Sequence, residues 1–320
     1  MKRFLLFLFA IVAALAAGTC WAQASYPDRP IHFVIPYPPG GTSDNLGRLL
    51  ADKLRVALGQ PLVVENKPGG TSTVGTGLVA QARPDGYTLL LSSSPAFTVL
   101  PHLRKVPYDP VNGFEPIAMV AGYLAVVTVR NDLPAKSFAE LVALAKKEPG
   151  KLTYGSAGIA SWGNMAGETI KLKQGIDVLH VPFKGSGDLI AGLLGGHIDI
   201  IIDGVGLGLA RSGKARALAT FGDARHPDLP DIPSLAEVGF KAGLPRSWWG
   251  IFAPKGTPAP VLKRIDAALA RILAEPETRE RMHRISVVPY YLPPAEMRKV
   301  MREDSGINAE LIRATGMRLE

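Results

Sequence analysis

Short β-rich runs alternate with stretches of helical period along most of the chain. Ile31-His32-Phe33-Val34-Ile35 is largely apolar and β-branched, whereas from Asn45 onward apolar residues return every third or fourth position, the spacing of one helix face. The same exchange predicts strands at 62–65 and 87–91, with a helix at 74–82 between them. Two strands, 115–122 and 124–129, then follow with almost nothing between them, and that break in rhythm predicts passage into a second domain. Beyond it the alternation resumes with helix 138–147, strand 152–154, helix 162–173, strand 178–181, helix 188–194, and strands 198–202 and 215–221. Strand 248–253 is expected to bring the chain back to the first domain, which amphipathic helices at 258–274 and 294–314 complete. The expected fold is α/β with two domains, residues 25–123 with 247–320 and residues 124–246. Paired crossings between domains make a hinge, and a hinge makes a cleft.

The first residues carry an address. Lys2 and Arg3 precede an apolar stretch at 4–17, and Ala22-Gln23-Ala24 forms a small-residue cleavage site, so residues 1–24 are expected to be a secretory signal removed from a periplasmic protein. Lipid attachment at Cys20 is the alternative, disfavoured because Thr19 is a poor residue before a lipidated cysteine. Cleavage leaves 296 of the 320 residues, enough for two domains, and no cysteine, which excludes disulfides and thiolate chemistry in the mature chain. The leader holds two of the 36 basic residues and none of the 28 acidic ones, so the mature net charge is +6. From 254 to 320 basic and acidic residues interleave on helical spacings, the pattern of solvated helix faces, so no nucleic-acid partner is expected.

Four strand ends run into loops rich in glycine and hydroxyls, at 39–44, 92–94, 155–161 and 184–187. In α/β sheets ligands gather outside the carboxyl ends of strands, which is where these loops fall. In the first of them, Pro39-Gly40-Gly41-Thr42-Ser43-Asp44, one of the last three residues is expected to cap the helix that follows. Free N–H groups and the helix dipole then favour a small anion, a carboxylate above all. Pro39–Ser43 is echoed at 68–72, which reads as ordinary turn chemistry reached twice. Nucleotide-loop, zinc-protease and serine-hydrolase motifs are absent, and the six histidines show no paired ligand spacing, so no catalytic residue, metal or cofactor is expected. His180 reads as a packed residue on a strand, and Asp203 as a strand-end carboxylate. Trp162, inside a glycine-rich loop, serves either as packing or as a surface for a ligand.

Taken together these segments resemble the periplasmic solute-binding proteins of tripartite tricarboxylate transporters, the Bug or TctC family. The resemblance rests on Tyr26-Pro27-Asp28-Arg29-Pro30, the Pro38-Pro39-Gly40-Gly41-x-x-Asp44 loop and Glu65-Asn66-Lys67-Pro68-Gly69. It continues through Arg83-Pro84-Asp85-Gly86-Tyr87, Tyr154-Gly155-Ser156-Ala157-Gly158 and Val181-Pro182-Phe183-Lys184-Gly185. It implies a two-domain Venus-flytrap of the type II-like periplasmic binding proteins, a monomer without catalytic activity that delivers a small organic acid to the membrane subunits of its transporter. It also implies that the loops at 39–44 and 156–164 grip the carboxylate. Asn164 stands where the family pattern has histidine, Asp188 where proline is usual and Gly192 where an acidic residue is common, all toward the distal end of the solute.

The ligand-binding set expected on these grounds starts with Pro39, Gly40, Gly41, Ser43 and Asp44 of the first loop, with Ser93. The second loop adds Ser156, Ala157, Gly158, Ser161, Trp162 and Asn164, and Phe183, Lys184 and Asp203 complete it. Amides of Gly40, Gly41, Ala157 and Gly158 hold the carboxylate in this reading, while Trp162 and Phe183 supply an apolar wall that disfavours citrate-like acids. Without cysteine or histidine in the site, affinity is expected to be nearly flat from about pH 6 to about 8. A ligand-sensing subunit of a membrane signalling system and a secreted hydrolase using Ser43 or Ser156 are the alternatives, the second weakened because no base lies beside either serine in sequence.

Overall fold

The computed structural model describes residues 26–123, 125–221, 225, 229–240, 246–285 and 287–319. The expected leader at 1–24, with Cys20, lies outside the described residues. The chain begins β1 (Ile31–Ile35), α1 (Thr42–Leu58), β2 (Leu62–Asn66), α2 (Thr73–Ala80), β3 (Thr88–Ser93), α3 (Pro95–Thr98), α4 (Leu100–Leu103) and β4 (Phe114–Tyr123). It continues through β5 (Val126–Val129), α5 (Phe138–Lys147), β6 (Thr153–Ser156), α6 (Trp162–Gln174), β7 (Leu179–Pro182), α7 (Ser186–Leu194), β8 (Ile200–Asp203), α8 (Val205–Arg211) and β9 (Arg216–Thr220). It ends with β10 (Trp248–Pro254), α9 (Ala259–Ala274), α10 (Pro276–Arg284), β11 (Val287–Leu292) and α11 (Pro294–Thr315).

The strands form two sheets, ordered β11-β4-β10-β3-β1-β2 and β7-β6-β8-β5-β9. Each contains a parallel triad, β3-β1-β2 in one and β8-β6-β7 in the other, flanked by antiparallel strands. The central strands are buried on both faces, which is why β1, β3 and β8 read as nearly continuous apolar runs. Alternation then splits their side chains between layers. Ile31, Phe33 and Ile35 meet Leu46, Leu50 and Leu54 of α1 and Ile265 and Leu269 of α9, while Val34 faces Phe97, Trp248 and Phe252 on the other side. In the second sheet Ile200 and Ile202 join Tyr154 and Ile170, and Ile201 joins Leu189 and Leu209.

The chain leaves the first sheet after Tyr123 and returns to it at Trp248. The C-terminal helix touches both lobes: Leu311 and Ile312 of α11 pack with Val99 and Leu100 from one side and Ala160 and Met165 from the other. Buried Asp304, also on α11, accepts from Trp248 Nε1 at 2.8 Å and Arg246 Nε at 2.7 Å, which fastens the helix to the second crossing.

Candidate functional site

Both parallel triads point their carboxyl ends at one cavity of about 510 Å³. The first lobe contributes the loop after β1, Thr71 and Ser72 after β2, Ser93 at the end of β3, and Trp249 on β10. The second contributes Ala157 and residues 160–163 after β6, residues 184–187 after β7, and Asp203 at the end of β8. The N-cap residues of α1, α2, α6 and α7, namely Gly41, Ser72, Ser161 and Gly185, all line this cavity. First-turn N–H groups have no carbonyl of their own helix to bond, and each helix start carries about half a positive charge. Four such starts around one cleft favour negative charge there.

The loop after β1 is held by a carboxylate of its own. Gly40 takes a φ of 84°, which glycine adopts without strain, and Gly41 then caps α1 through ordinary backbone, not through the side-chain cap expected from Thr42, Ser43 or Asp44. Asp44 instead sits in the first turn and reaches back, accepting from Gly40 N–H at 2.9 Å, Arg48 Nε at 3.0 Å and Asn66 Nδ2 at 2.9 Å. Burial pushes its carboxyl up, but the bonds from Arg48, Gly40 and Asn66 outweigh burial and hold it below the ordinary carboxylate range. Asn66 also donates to Tyr37 O at 3.1 Å, so the end of β2 braces the neighbouring loop. Ser43 accepts from Trp249 Nε1 at 2.8 Å, and Ser93 shares a 2.6 Å bond with Tyr37 OH; Ser43 keeps its own proton to donate.

The loop after β6 is built on a polar layer beneath it. Ser156 Oγ donates to Gly158 O at 2.9 Å and stands 2.7 Å from His180 Nε2. The fold therefore supplies a histidine where sequence offered no base, yet with the hydroxyl proton spent on Gly158 the imidazole serves as a donor. Burial also pulls His180 below the usual histidine value. Asn164 Oδ1 accepts from Ala160 N at 3.0 Å and its Nδ2 donates to Tyr154 OH at 2.9 Å, which holds Ala160 at a φ of 62°. Ser161 caps α6 by accepting from Asn164 N–H and keeps its hydroxyl proton. A Cβ on Gly163 would stand 2.4 Å from Ile202 O, so glycine lets α6 begin this close to β8.

Tyr123 joins the two halves at the first crossing. Its hydroxyl donates to Asp203 Oδ1 at 2.6 Å and accepts from Gly204 N–H at 2.9 Å. Its ring meets Trp249 and Trp162 edge-on, at 5.2 and 5.7 Å between centroids. Burial, with Asp203 beside it, pushes the phenol up and keeps it a donor. Burial also raises Asp203, against the opposing bonds from Tyr123 and Val205 N–H. Asp203 and Lys184 are the charged side chains of the cavity wall.

Of the residues expected from sequence, Pro39, Gly40, Gly41, Ser43, Ser93, Ala157, Ser161, Trp162, Lys184 and Asp203 line the cavity. Gly40 N–H, however, already donates to Asp44. Asp44, Ser156 and Asn164 are buried with their polar atoms engaged by the protein, so they shape the two loops from behind. Gly158 lies outside the wall, its carbonyl taken by Ser156. Phe183 packs with Leu189, Leu193 and Ile198, in space that glycine at 192 leaves open, since a Cβ there would meet the ring at 2.6 Å. Trp162 both packs and lines: it is 7% exposed, with its ring against Phe221 at 4.6 Å. Tyr37, Thr71, Ser72, Tyr123 and Trp249 were not anticipated in the wall. For 71 and 72 the echo at 68–72 was the available signal. The echo is not one of conformation, since Gly69, Gly70, Thr71 and Ser72 all take positive φ.

Comparison with known proteins places this architecture. The sequence matches the tripartite tricarboxylate transporter family receptor over residues 46–317. It is 37% identical over 280 residues to a Cupriavidus necator protein described as UPF0065 protein in gbd 5'region, covering 87% of this chain and 85% of that one. The periplasmic binding protein BugD superposes with a TM-score of 0.81 at 35% identity, over 92% of this chain and 100% of its own. Rpa4515 of R. palustris, solved with adipate, gives 0.83 at 28% identity over 92% and 99%. A two-lobed α/β fold with a cleft ringed by helix starts, and sequence kinship across nearly the whole described chain, lead to one conclusion: the chain belongs to the TctC family of tripartite tricarboxylate transporter receptors, solute-binding proteins and not enzymes.

Proposed function

We infer that this protein is a periplasmic receptor that captures a small organic acid and presents it to the membrane subunits of a tripartite tricarboxylate-type transporter. In this reading residues 1–24 are removed on export, the receptor is a monomer, and residues 25–123 with 247–320 close on residues 124–246 about the two crossings. The observation that carries it is the convergence of the α1 and α6 starts on one cavity. N–H groups of Gly41, Thr42 and Ser43 from one lobe, and of Gly163 with the Ser161 hydroxyl from the other, receive the carboxylate. Trp162, Trp249 and Tyr37 offer an apolar wall to the rest of the solute. Micromolar affinity corresponds to about 8 kcal/mol, and ordinary hydrogen bonds net about 1 kcal/mol each, so several donors and closure of the cleft are both required. The adipate of Rpa4515, an acid with an apolar chain, supports this class of solute.

Calorimetry on Gly41→Val tests the assignment. Gly41 has ordinary backbone, and a Cβ there meets only Pro38 O, at 4.0 Å, so the variant is expected to fold normally. The side chain would crowd the carboxylate and lower affinity by at least about tenfold. Unchanged affinity for the wild type's best acid would move the site elsewhere.

Asp203 gives a reason for a pH dependence that the sequence reading did not include. Its raised carboxyl is neutral at low pH and ionises as pH rises through its value, placing a negative charge in the wall of an anion site. Affinity for a fully ionised acid is therefore expected to fall as pH rises through the raised Asp203 value, and Asp203→Asn to remove that dependence. A profile identical in wild type and variant would show that Asp203 does not titrate beside the solute.

A further inference from the structure

A second cavity, of about 380 Å³, opens between α11 and the loop that leads into β4. It shares no lining residue with the cleft between the lobes. Strands β3 and β4 both run antiparallel to β10, so the Tyr123 end of β4 and the Trp249 end of β10 face the cleft, whereas Phe114 and Phe252 lie toward the opposite ends. The floor of the second cavity is aromatic. Phe97 stacks on Phe252 at 4.3 Å between centroids and meets Phe114 edge-on at 5.4 Å, and each of the three is at most 3% exposed. One wall is set by Asp109, whose carboxylate accepts from the N–H groups of Val111 and Asn112 at 2.8 and 2.9 Å. Val111, 62% exposed, stands at the rim.

The charge around this floor has one sign. Arg298 and Arg302, one turn apart on α11, line the cavity, and among the described residues no carboxylate does. Arg298 is steadied by Glu115, which accepts from it at 2.7 Å and pairs with Lys255 as well. Arg302 makes no ion pair or hydrogen bond among the described residues, and the adjacent Glu303 is taken by Arg246. A guanidinium offers a planar fork of N–H donors to an anionic oxygen group, and the phenyl floor offers contact to an apolar body. An uncharged ligand would leave the arginines unused, whereas a small hydrophilic anion would leave the floor empty. The volume lies within the range of about 300 to 1,000 Å³ usual for small-molecule pockets. We propose that this cavity is a second binding site, for a small aromatic carboxylate or sulfonate whose rings rest on the phenyl floor and whose anionic group pairs with Arg302 and Arg298. It stands whether or not the cleft receives an organic acid.

The test is a fluorescence titration with anilinonaphthalene sulfonate, and with phenylnaphthylamine, the same aromatic skeleton without the charge. The wild type is expected to bind the sulfonate saturably and about tenfold or more tighter than the neutral amine. Arg302→Gln and Val111→Asp change exposed positions and should keep the wild-type Tm, yet each should weaken the sulfonate by about tenfold. Lys299→Gln removes a charge from the same helix outside the cavity, and Gly41→Val alters the cleft. Both should bind the sulfonate within about twofold of the wild type. A loss confined to Gly41→Val would place the dye in the cleft and overturn the second site. Equal affinity for the neutral amine, a loss in Lys299→Gln as large as in Arg302→Gln, or no saturable binding by the wild type would overturn it as well.

Discussion

Asp44→Ala is expected to destabilise the protein by about 3 kcal/mol at neutral pH, and to lower solute affinity at the same time. The substitution removes the buried carboxylate that accepts from the Gly40 N–H and the Asn66 amide, whereas half-exposed Arg48 turns to water. Two lost bonds to a charged acceptor, at roughly 1.5 kcal/mol or more each, give that figure. Affinity falls because Asp44 sets the path of the loop whose next N–H groups face the solute. The pH dependence has a definite sign. The folded carboxyl lies below its unfolded value, so its contribution is complete above about pH 4 and is lost as pH falls through the folded value. Thermal unfolding of both proteins should show a wide Tm gap at pH 7 that narrows in acid. A gap as wide at pH 2 as at pH 7 would place the stabilisation in packing instead.

Trp162→Ala should be costlier still, at about 3 to 5 kcal/mol, the usual range for truncating a buried tryptophan. The ring fills space between Tyr123 at the crossing and Phe221 behind it, so its loss opens a cavity where the two lobes meet. Trp162→Phe keeps part of that packing and is the better probe of binding. Its affinity for an acid with an apolar chain should drop by roughly 1 kcal/mol, from the lost apolar contact. Denaturant unfolding and calorimetry separate the two effects. Wild-type stability in the alanine variant would deny the packing role, and full affinity for adipate in both variants would deny the contact with solute.

Much of the fold was legible because the central strands are buried on both faces and the helices between them have one apolar side. Helix 138–147 is a clear case, with Ser137 before it, acidic Glu140 in its first turn and two lysines in its last. What escaped notice has identifiable causes. Strand β11 contains Pro289, which argues against a central strand but is tolerated at the sheet edge, where β11 lies. Helix α8, Val-Gly-Leu-Gly-Leu-Ala-Arg, has poor intrinsic propensity and is helical because Leu207 and Leu209 bury. Within the site, loops recognisable by glycine and hydroxyl content could be read, but not which groups their neighbours consume. Ser156 and Asn164 looked available until His180, Tyr154 and the Ala160 amide were placed beside them. Trp249 and Tyr123 lie in strands far from any loop signal; the register that pairs Trp249 with Ser93, and the place of Tyr123 at the crossing, bring them to the cleft.

Strand β10 enters the first sheet between β3 and β4, antiparallel to both, after the chain has traversed the whole second sheet. The consequence is an order of assembly that runs against the order of synthesis. Residues of the second sheet are contiguous and can pair without the C-terminal segment, whereas β3 and β4 each keep an apolar edge open until residues 248–254 arrive. The lobe that starts first is finished last. A chain halted before Trp248 would have a complete second sheet, an unzipped first one and no indole to hold Ser43, so the receptor gains a working cleft only when its C-terminal segment zips the sheet shut.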